Sequence, residues 1–292
     1  MNETVLSEVF AFSGNTVAVT GGGGALPGAV AEGLARLGLN VALLDLSVDK
    51  AEEKALEIRD AGGSARAYHC DVLSKESILA VREQVQRDFG AVDYLVNGAG
   101  GNVPGGSTDK GFVEASDTES IGGAPKPGME RTFFDLEVED LRFTVDLNLL
   151  GTIIPSQVFG ADMAARGRGS ILNFASMTAI VPLTRVGAYS AAKAGVANFT
   201  HWLSVHLSHV GVRVNALAPG FFMTEQLRFL HIDQATGEYT PRAKQVIAKT
   251  PTGTYGDPKD LLGAVIWLLS DAAEFVTGSV IVIDGGFSSY SI

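Results

Sequence analysis

Tyr189 and Lys193 stand four residues apart in the run AYSAAKAGVANF, and Ser176 precedes the tyrosine by thirteen residues. Four residues make about one helical turn, so this phenol and ammonium would share a helix face. A phenol with an ordinary pKa of about 10 exchanges protons poorly at neutral pH. A lysine one turn away favours the phenolate and draws that pKa down. A shift of roughly 3 units takes about 4 kcal/mol of differential stabilisation. Such a pair is suited to passing a proton to or from an alcohol oxygen. Tyr-x-x-x-Lys alone is common on ordinary solvated helices, so its surroundings decide what it means.

The elements that must position the trio alternate along the chain. Apolar runs at 16–20, 40–45, 65–71, 92–97, 170–176, 212–218 and 279–286 read as seven strands. Helical patterns fall between them, at 28–37, up to 60, at 75–89, 138–166, 187–209 and 258–269. Strands alternating with helices imply right-handed crossovers and a parallel sheet. The expected fold is α/β, a doubly wound seven-stranded parallel sheet of Rossmann type, with residues 1–292 forming one domain. Two stretches break the rhythm. Residues 101–131, rich in Gly, Ser, Thr and Asp with three prolines, read as a long loop inserted after strand four. Residues 221–238 read as a second irregular stretch, placed where a substrate loop would lie.

Composition narrows the function classes. Of 292 residues 46% are hydrophobic and only 19% charged, which suits a large core rather than disorder. A net charge of −11 argues against a nucleic-acid binder. Cys70 is the one cysteine, so no intrachain disulfide forms, and its apolar setting reads as a buried, inert thiol. The acidic start MNETVLSEVF lacks the basic region of a signal peptide, and no apolar run reaches membrane-spanning length. A cytoplasmic protein is expected. His201, His206 and His209 share one helix, but no carboxylate cluster supports them and no metal site is read there.

The first strand runs into TGGGGALPG at 20–28. A glycine turn between a strand and a helix N-terminus cradles a pyrophosphate with backbone N–H groups and the helix dipole. Gly21, Gly23, Gly24, Ala25 and Leu26 are the candidate contacts. Asp45 ends the second strand, where a carboxylate accepts from ribose hydroxyls and repels a 2′-phosphate. No arginine follows it at Leu46, Ser47 or Val48, so NAD is favoured over NADP. Asp45 could equally serve as a helix cap. Asp71, with Val72 beside it, is placed to bind adenine. In Asn97, Gly98, Ala99 and Gly100 small residues let the chain pass under the ligand.

Taken together, these motifs resemble the short-chain dehydrogenase/reductase family across roughly 14–286. The resemblance rests on the glycine turn, Asp71, NGAG at 97–100, Asn148 in DLNLLGT, Ser176, Tyr189 with Lys193, and PGFFMTE from Pro219. It implies that Tyr189 is the acid in reduction and the base in oxidation, and that Lys193 lowers its pKa and holds the nicotinamide ribose. Ser176 would bond the substrate oxygen and Asn148 would anchor a proton-relay water. Thr224 would bind the carboxamide, with Pro219, Gly220 and Phe222 shaping that wall. One departure stands out. The family pattern TGxxxGxG has glycines where this chain has Ala25 and Pro27, and the proline removes an N–H donor.

Within the family the chain resembles the D-mannonate oxidoreductase (fructuronate reductase) branch, notably in its long loop after NGAG and in PGFFMTEQ. That implies interconversion of D-mannonate and D-fructuronate with NAD. An anionic sugar acid needs a local cation, and Arg185, four residues before Tyr189, is the first candidate. Asn102, Thr178 and Gln226 are candidates for the sugar hydroxyls. The family's subunit pairing implies a homotetramer or homodimer, built on the small-residue helix 187–209. The alternatives are a dehydrogenase of another polyol, sugar acid or cyclic alcohol, and a non-catalytic NADH sensor.

Overall fold

Seven strands form one parallel sheet: β1 Thr16–Thr20, β2 Asn40–Asp45, β3 Ser64–His69, β4 Tyr94–Asn97, β5 Gly169–Phe174, β6 Val212–Pro219 and β7 Val280–Ile283. Their spatial order is β3-β2-β1-β4-β5-β6-β7. The structure, a computed structural model, describes residues 8–120 and 130–291, with the backbone alone at 118–120 and 226.

Both sheet faces are covered, which is why the strands read as continuous apolar runs rather than alternating ones. Successive side chains point to opposite faces. Val17, Val19, Val41 and Leu43 therefore join Val30, Leu34, Ile58 and Leu268 in one core. Ala18, Ala42, Leu44 and Leu95 join Ile78, Val81, Phe159 and Met163 in the other. The helices that supply these faces are α1 Ala25–Arg36, α2 Val48–Asp60, α3 Lys75–Phe89, α4 Val138–Val145, α5 Gly151–Arg166, α6 Gly187–His206, α7 Glu225–His231, α8 Pro241–Lys249 and α9 Leu262–Leu269.

The chain leaves β1 toward β2 on one side, while β4 pairs on its other side. That reversal opens a crevice at the carboxyl ends of β1 and β4, where such sheets bind ligands. Thr20, the last residue of β1, ties the two ends together. Its Oγ1 accepts from the N–H groups of Gly98 at 3.1 Å and Ala99 at 3.2 Å.

Several element boundaries differ from the sequence expectation. The helix expected at 28–37 begins earlier, at Ala25, because Pro27 sits in its first turn where a proline is tolerated. The helix expected at 138–166 is interrupted by a π-helical segment, Asp146–Leu150, and the helix expected to reach 209 stops at His206. The stretch expected to be irregular at 221–238 contains helix α7, capped by Thr224, and α8 was not anticipated at all. Between β4 and α4 the described chain makes only short 3₁₀ turns, at Pro104–Gly106, Ala115–Ser120 and Phe133–Asp135. The part of the expected long loop at 121–129 lies outside the described residues. No helix among the described residues is long and apolar enough to cross a membrane.

Candidate active site

A cleft of about 1110 Å³ lies along the carboxyl ends of the strands. At one end is the glycine turn. Gly21 holds φ +66°, and a Cβ there would stand 2.8 Å from Ala99 Cα; one on Gly23 would stand 2.8 Å from Lys50 Cβ. Only glycine lets the turn approach both neighbours. Gly24 caps α1 without a side chain. Gly24 N–H turns back to Gly21 O at 2.8 Å and Gly28 N–H makes the first bond into the helix. Pro27 has no N–H, so Ala25 and Leu26 present the backbone donors of this helix start. That donor set, at the positive end of a helix dipole, suits a pyrophosphate.

Pro27, which departs from the family pattern, is buried and seated against Gly98: a Cβ on Gly98 would fall 2.6 Å from Pro27 Cγ. The proline ring thus occupies space that a larger residue at 98 would need.

Asp45 reaches back to the same turn. Its Oδ2 accepts from Gly23 N–H at 3.0 Å and its Oδ1 from Ser47 N–H at 2.9 Å. The carboxylate is fixed by the turn it helps to shape; it accepts from Ser47 N–H just ahead of α2 but does not cap that helix, which has no side-chain cap. Asp71 and Val72 line the cleft beside Cys70, which is buried and whose thiol is pushed up to about 12 by burial. Asp71 Oδ1 accepts from Leu73 N–H at 2.9 Å.

At the other end the trio converges. β5 ends at Phe174, and Ser176 follows as the cap of a 3₁₀ turn, its Oγ accepting from Thr178 N–H at 3.2 Å. Helix α6 carries Tyr189 and Lys193 on one face, with Lys193 Nζ 5.7 Å from the tyrosine ring centroid. Ser176, Tyr189 and Lys193 all line the cleft. Lys193 Nζ donates to Phe174 O at 2.7 Å. Burial lowers the lysine to about 8. The expectation that Lys193 draws the tyrosine down needs correction. Burial is the larger influence and raises the Tyr189 phenol above its ordinary value, and the opposing pull is a hydrogen bond with Ser176. The arrangement thus favours a protonated, donating tyrosine.

Asn148, fully buried, lies in the π-helical segment. Its Nδ2 donates to Gly101 O and Thr144 O, both at 2.9 Å, and its Oδ1 accepts from Gly101 N–H at 2.9 Å. The amide therefore clamps the chain that passes under the cleft. Gly100, held at φ +140°, lies between it and the lysine: a Cβ there would fall 2.6 Å from Asn148 Oδ1 and 3.4 Å from Lys193 Nζ.

A sequence model of the short chain dehydrogenases matches residues 15–234. The chain belongs to the short-chain dehydrogenase family. It is 44% identical over 276 residues to an uncharacterized oxidoreductase of Haemophilus influenzae, covering 94% of this chain and 93% of that protein. It is 42% identical over 280 residues to the uncharacterized oxidoreductase UxuB of Bacillus subtilis, covering 96% of each. Among solved structures it is similar to a candidate D-mannonate oxidoreductase from Haemophilus influenza with bound NAD, at TM-score 0.87 and 43% identity over 95% of this chain and 96% of that one. It is also similar to a gluconate 5-dehydrogenase from Burkholderia cenocepacia in complex with NADP and tartrate, at TM-score 0.79 and 28% identity over 98% of this chain and 100% of that one. Both cofactors thus occur among its structural relatives.

Against this short-chain dehydrogenase frame, most of the residues singled out from sequence line the cleft: Gly21, Gly23, Gly24, Ala25 and Leu26 at the turn, and Ala99, Gly100, Pro219, Gly220 and Thr224 further along. Others lie elsewhere. Asn97 is buried, its Nδ2 donating to Ser156 Oγ and Asn173 Oδ1 at 2.9 Å, so its side chain braces β4 against β5 and α5. Phe222 is buried and bridges to Gly256. Thr178 is buried behind Ser176. Asn102 is exposed and accepts from Ser107 Oγ. Arg185 is exposed at φ +78°, its carbonyl accepting from Thr108 N–H at 2.9 Å. The Gln226 side chain lies outside the described residues. Sequence reasoning missed Phe143, Leu147 and Met223 on the cleft wall. Phe143 comes from α4, Leu147 from the π-helical segment that follows it, and Met223 from the residues just before α7. Among the described residues no cluster of His, Cys, Asp or Glu could hold a metal, and His206 stacks on Trp202 at 4.8 Å.

Proposed function

We propose that this oxidoreductase interconverts D-mannonate and D-fructuronate with NAD. The observation that carries the reaction class is the convergence of Ser176, Tyr189 and Lys193 at one end of a cleft whose other end is a phosphate-binding turn. The substrate rests on the likeness to the Haemophilus structure named for D-mannonate.

Bound across the cleft, the dinucleotide supplies or accepts the hydride. Ala25 and Leu26 N–H groups would hold its pyrophosphate, Asp45 its adenosine ribose, and Asp71 with Val72 its adenine. Ala99 and Gly100 would run beneath it, and Pro219, Gly220 and Thr224 would face the carboxamide. Ser176 orients the substrate oxygen. Tyr189, kept protonated by burial, donates its proton to that oxygen in the reductive direction. Lys193 holds the ribose and, through the Asn148 and Gly100 neighbourhood, takes part in reprotonation. Arg185 is the cation proposed for the sugar-acid carboxylate, with Asn102, Thr178 and Gln226 for its hydroxyls. Asp45 is the reason NAD is preferred, since a carboxylate fixed beside the ribose repels a 2′-phosphate. The proposal includes one domain over 1–292, a cytoplasmic setting, and a homotetramer or homodimer.

The test is oxidation of NADH by the purified chain with D-fructuronate, beside D-tagaturonate and neutral ketoses, with NADPH as the second cofactor. Turnover with D-fructuronate and NADH above all others is expected. Turnover only with neutral ketoses or another acid would overturn the substrate and leave the dehydrogenase chemistry. The gluconate 5-dehydrogenase relative makes a different sugar acid the second reading.

A further inference from the structure

The chain after β6 closes on itself beside the cleft. Helix α7 begins at the cleft wall, where Thr224 Oγ1 accepts from Leu227 N–H at 3.2 Å and Met223, Thr224 and Glu225 face the cavity. It ends at His231, which is only 2% exposed. His231 Nδ1 lies 2.7 Å from Tyr255 Oη. The Tyr255 ring meets Phe221 edge-on, with centroids 6.4 Å apart. The next residue returns to the wall: Gly256 N–H donates to Phe221 O at 3.0 Å, and Met223 N–H donates to Gly256 O at 2.8 Å. Ala243, Val246 and Tyr255 form a small cluster with Phe221, Met223 and Leu227, apart from the two sheet cores. The helix is thus fastened at the wall by its cap and at its far end by the His231–Tyr255 contact.

We propose that His231 and Tyr255 are a positioning pair whose hydrogen bond holds the wall 221–224 and helix α7 in the arrangement that binds the dinucleotide, and does so while His231 is neutral. This rests on the reading of the cleft as the dinucleotide site and is independent of the sugar acid. Neither residue touches the reacting atoms.

The groups acting on His231 are Tyr255, from the loop before Pro258, and the charge of Arg242 from α8; Tyr239, bridged to Ile232, packs on the Tyr255 ring. None is a carboxylate. Burial pushes the Tyr255 phenol up to about 12, so it remains a neutral partner. Burial, and then the Arg242 charge, hold the imidazole below its ordinary value. The sign follows. Well above about pH 6.5 the imidazole is neutral whether buried or released, and burying it displaces no proton. Below that, a released His231 takes up a proton that the buried one refuses, so acid favours release. At pH about 5.5 the released arrangement gains up to about tenfold.

The test is NADH affinity of the full chain at pH 7.5 and 5.5, with hydrogen exchange of the segment 224–256 in the apoprotein, corrected for the intrinsic pH dependence. The wild type is expected to bind NADH more weakly at the lower pH, by up to about tenfold, with quickened exchange in α7. His231→Gln, neutral throughout and able to bond Tyr255, should change less than about twofold across that range. Tyr255→Phe keeps the ring packing and should bind NADH about fivefold more weakly at both pH values, with fast α7 exchange. The pair is refuted if His231→Gln reproduces the wild-type acid response, if Tyr255→Phe binds as the wild type does, or if apoprotein exchange in α7 is indifferent to pH. A chain that shows the expected NADH and exchange behaviour but is inert toward D-fructuronate supports the pair and overturns only the substrate.

Discussion

Gly100→Ala tests whether the passage beneath the cleft is held by the Asn148 clamp. The introduced Cβ would stand 2.6 Å from Asn148 Oδ1, well inside contact distance. Asn148 has no cheap way to yield. It is fully buried, and its three hydrogen bonds at 2.9 Å reach Gly101 and Thr144. Losing one or two costs about 0.5–1.5 kcal/mol each, and more where a buried group is left unpaired. The backbone at φ +140° adds about 1–3 kcal/mol for any side chain. The expected loss is about 2–5 kcal/mol, or about 5–15 °C in melting temperature for a chain of this size. Lys193 Nζ, 3.4 Å from the same position, moves with the clamp, so NADH turnover should fall more than about tenfold. Gly101→Ala is the matched control. Its φ is +154°, but a Cβ there meets nothing within 4 Å, so it carries the backbone cost without the contact. Both variants are melted by circular dichroism and assayed for NADH oxidation. If they melt together, the contact with Asn148 contributes nothing and the clamp argument fails.

Tyr189→Phe should lower turnover by about 10²–10⁴ and leave NADH affinity within about twofold, measured by steady-state kinetics and fluorescence titration; unchanged turnover would restore the non-catalytic sensor reading. Asp45→Ser removes the carboxylate at the end of β2, proposed to meet the adenosine ribose, and should improve NADPH binding relative to NADH by more than about tenfold, read from paired dissociation constants. Lys193→Met should abolish turnover yet leave the apoprotein at least as stable at pH 7, since a buried ammonium 4% exposed is replaced by an apolar chain. The lysine's folded value of about 8 lies below its unfolded value, so its burial cost stands in full below pH 8 and is relieved as pH rises. Wild-type stability should therefore gain about 2 kcal/mol on the Met variant between pH 8 and 9.5, by urea unfolding; parallel curves would contradict the shift.

Much of the scaffold was legible in the chain because local patterns wrote it. Strands buried on both faces must be continuous apolar runs, so TVAVT and NVALLD announced β1 and β2 to the residue. The helical pattern at 75–89 did the same for α3, which the structure shows capped by Ser74. The Tyr189–Lys193 spacing fixed a shared helix face before any fold was known. Where the reading slipped, the cause was not local. The π-helical turn at Asp146–Leu150 has no sequence period of its own; it accompanies the burial of Asn148 and its bonds to Gly101, 47 residues upstream. Helix α7 was hidden because 221–238 lacks an apolar stripe against the main core, and its ends are held by Thr224 and by the contact with Tyr255. Asn97 looked like a cleft residue from its motif, yet its amide is turned to Asn173 and Ser156, partners that only the sheet order brings beside it.

The sequence by itself determined the strand and helix alternation, the glycine turn, the carboxylate at 45 and the trio of Ser176, Tyr189 and Lys193, because each depends on residues near one another in the chain or on conformations that only certain residues adopt. The tertiary structure alone decided the protonation balance at the trio and which polar side chains reach the cleft. Burial raises Tyr189 and lowers Lys193, and burial is a property of everything packed around them.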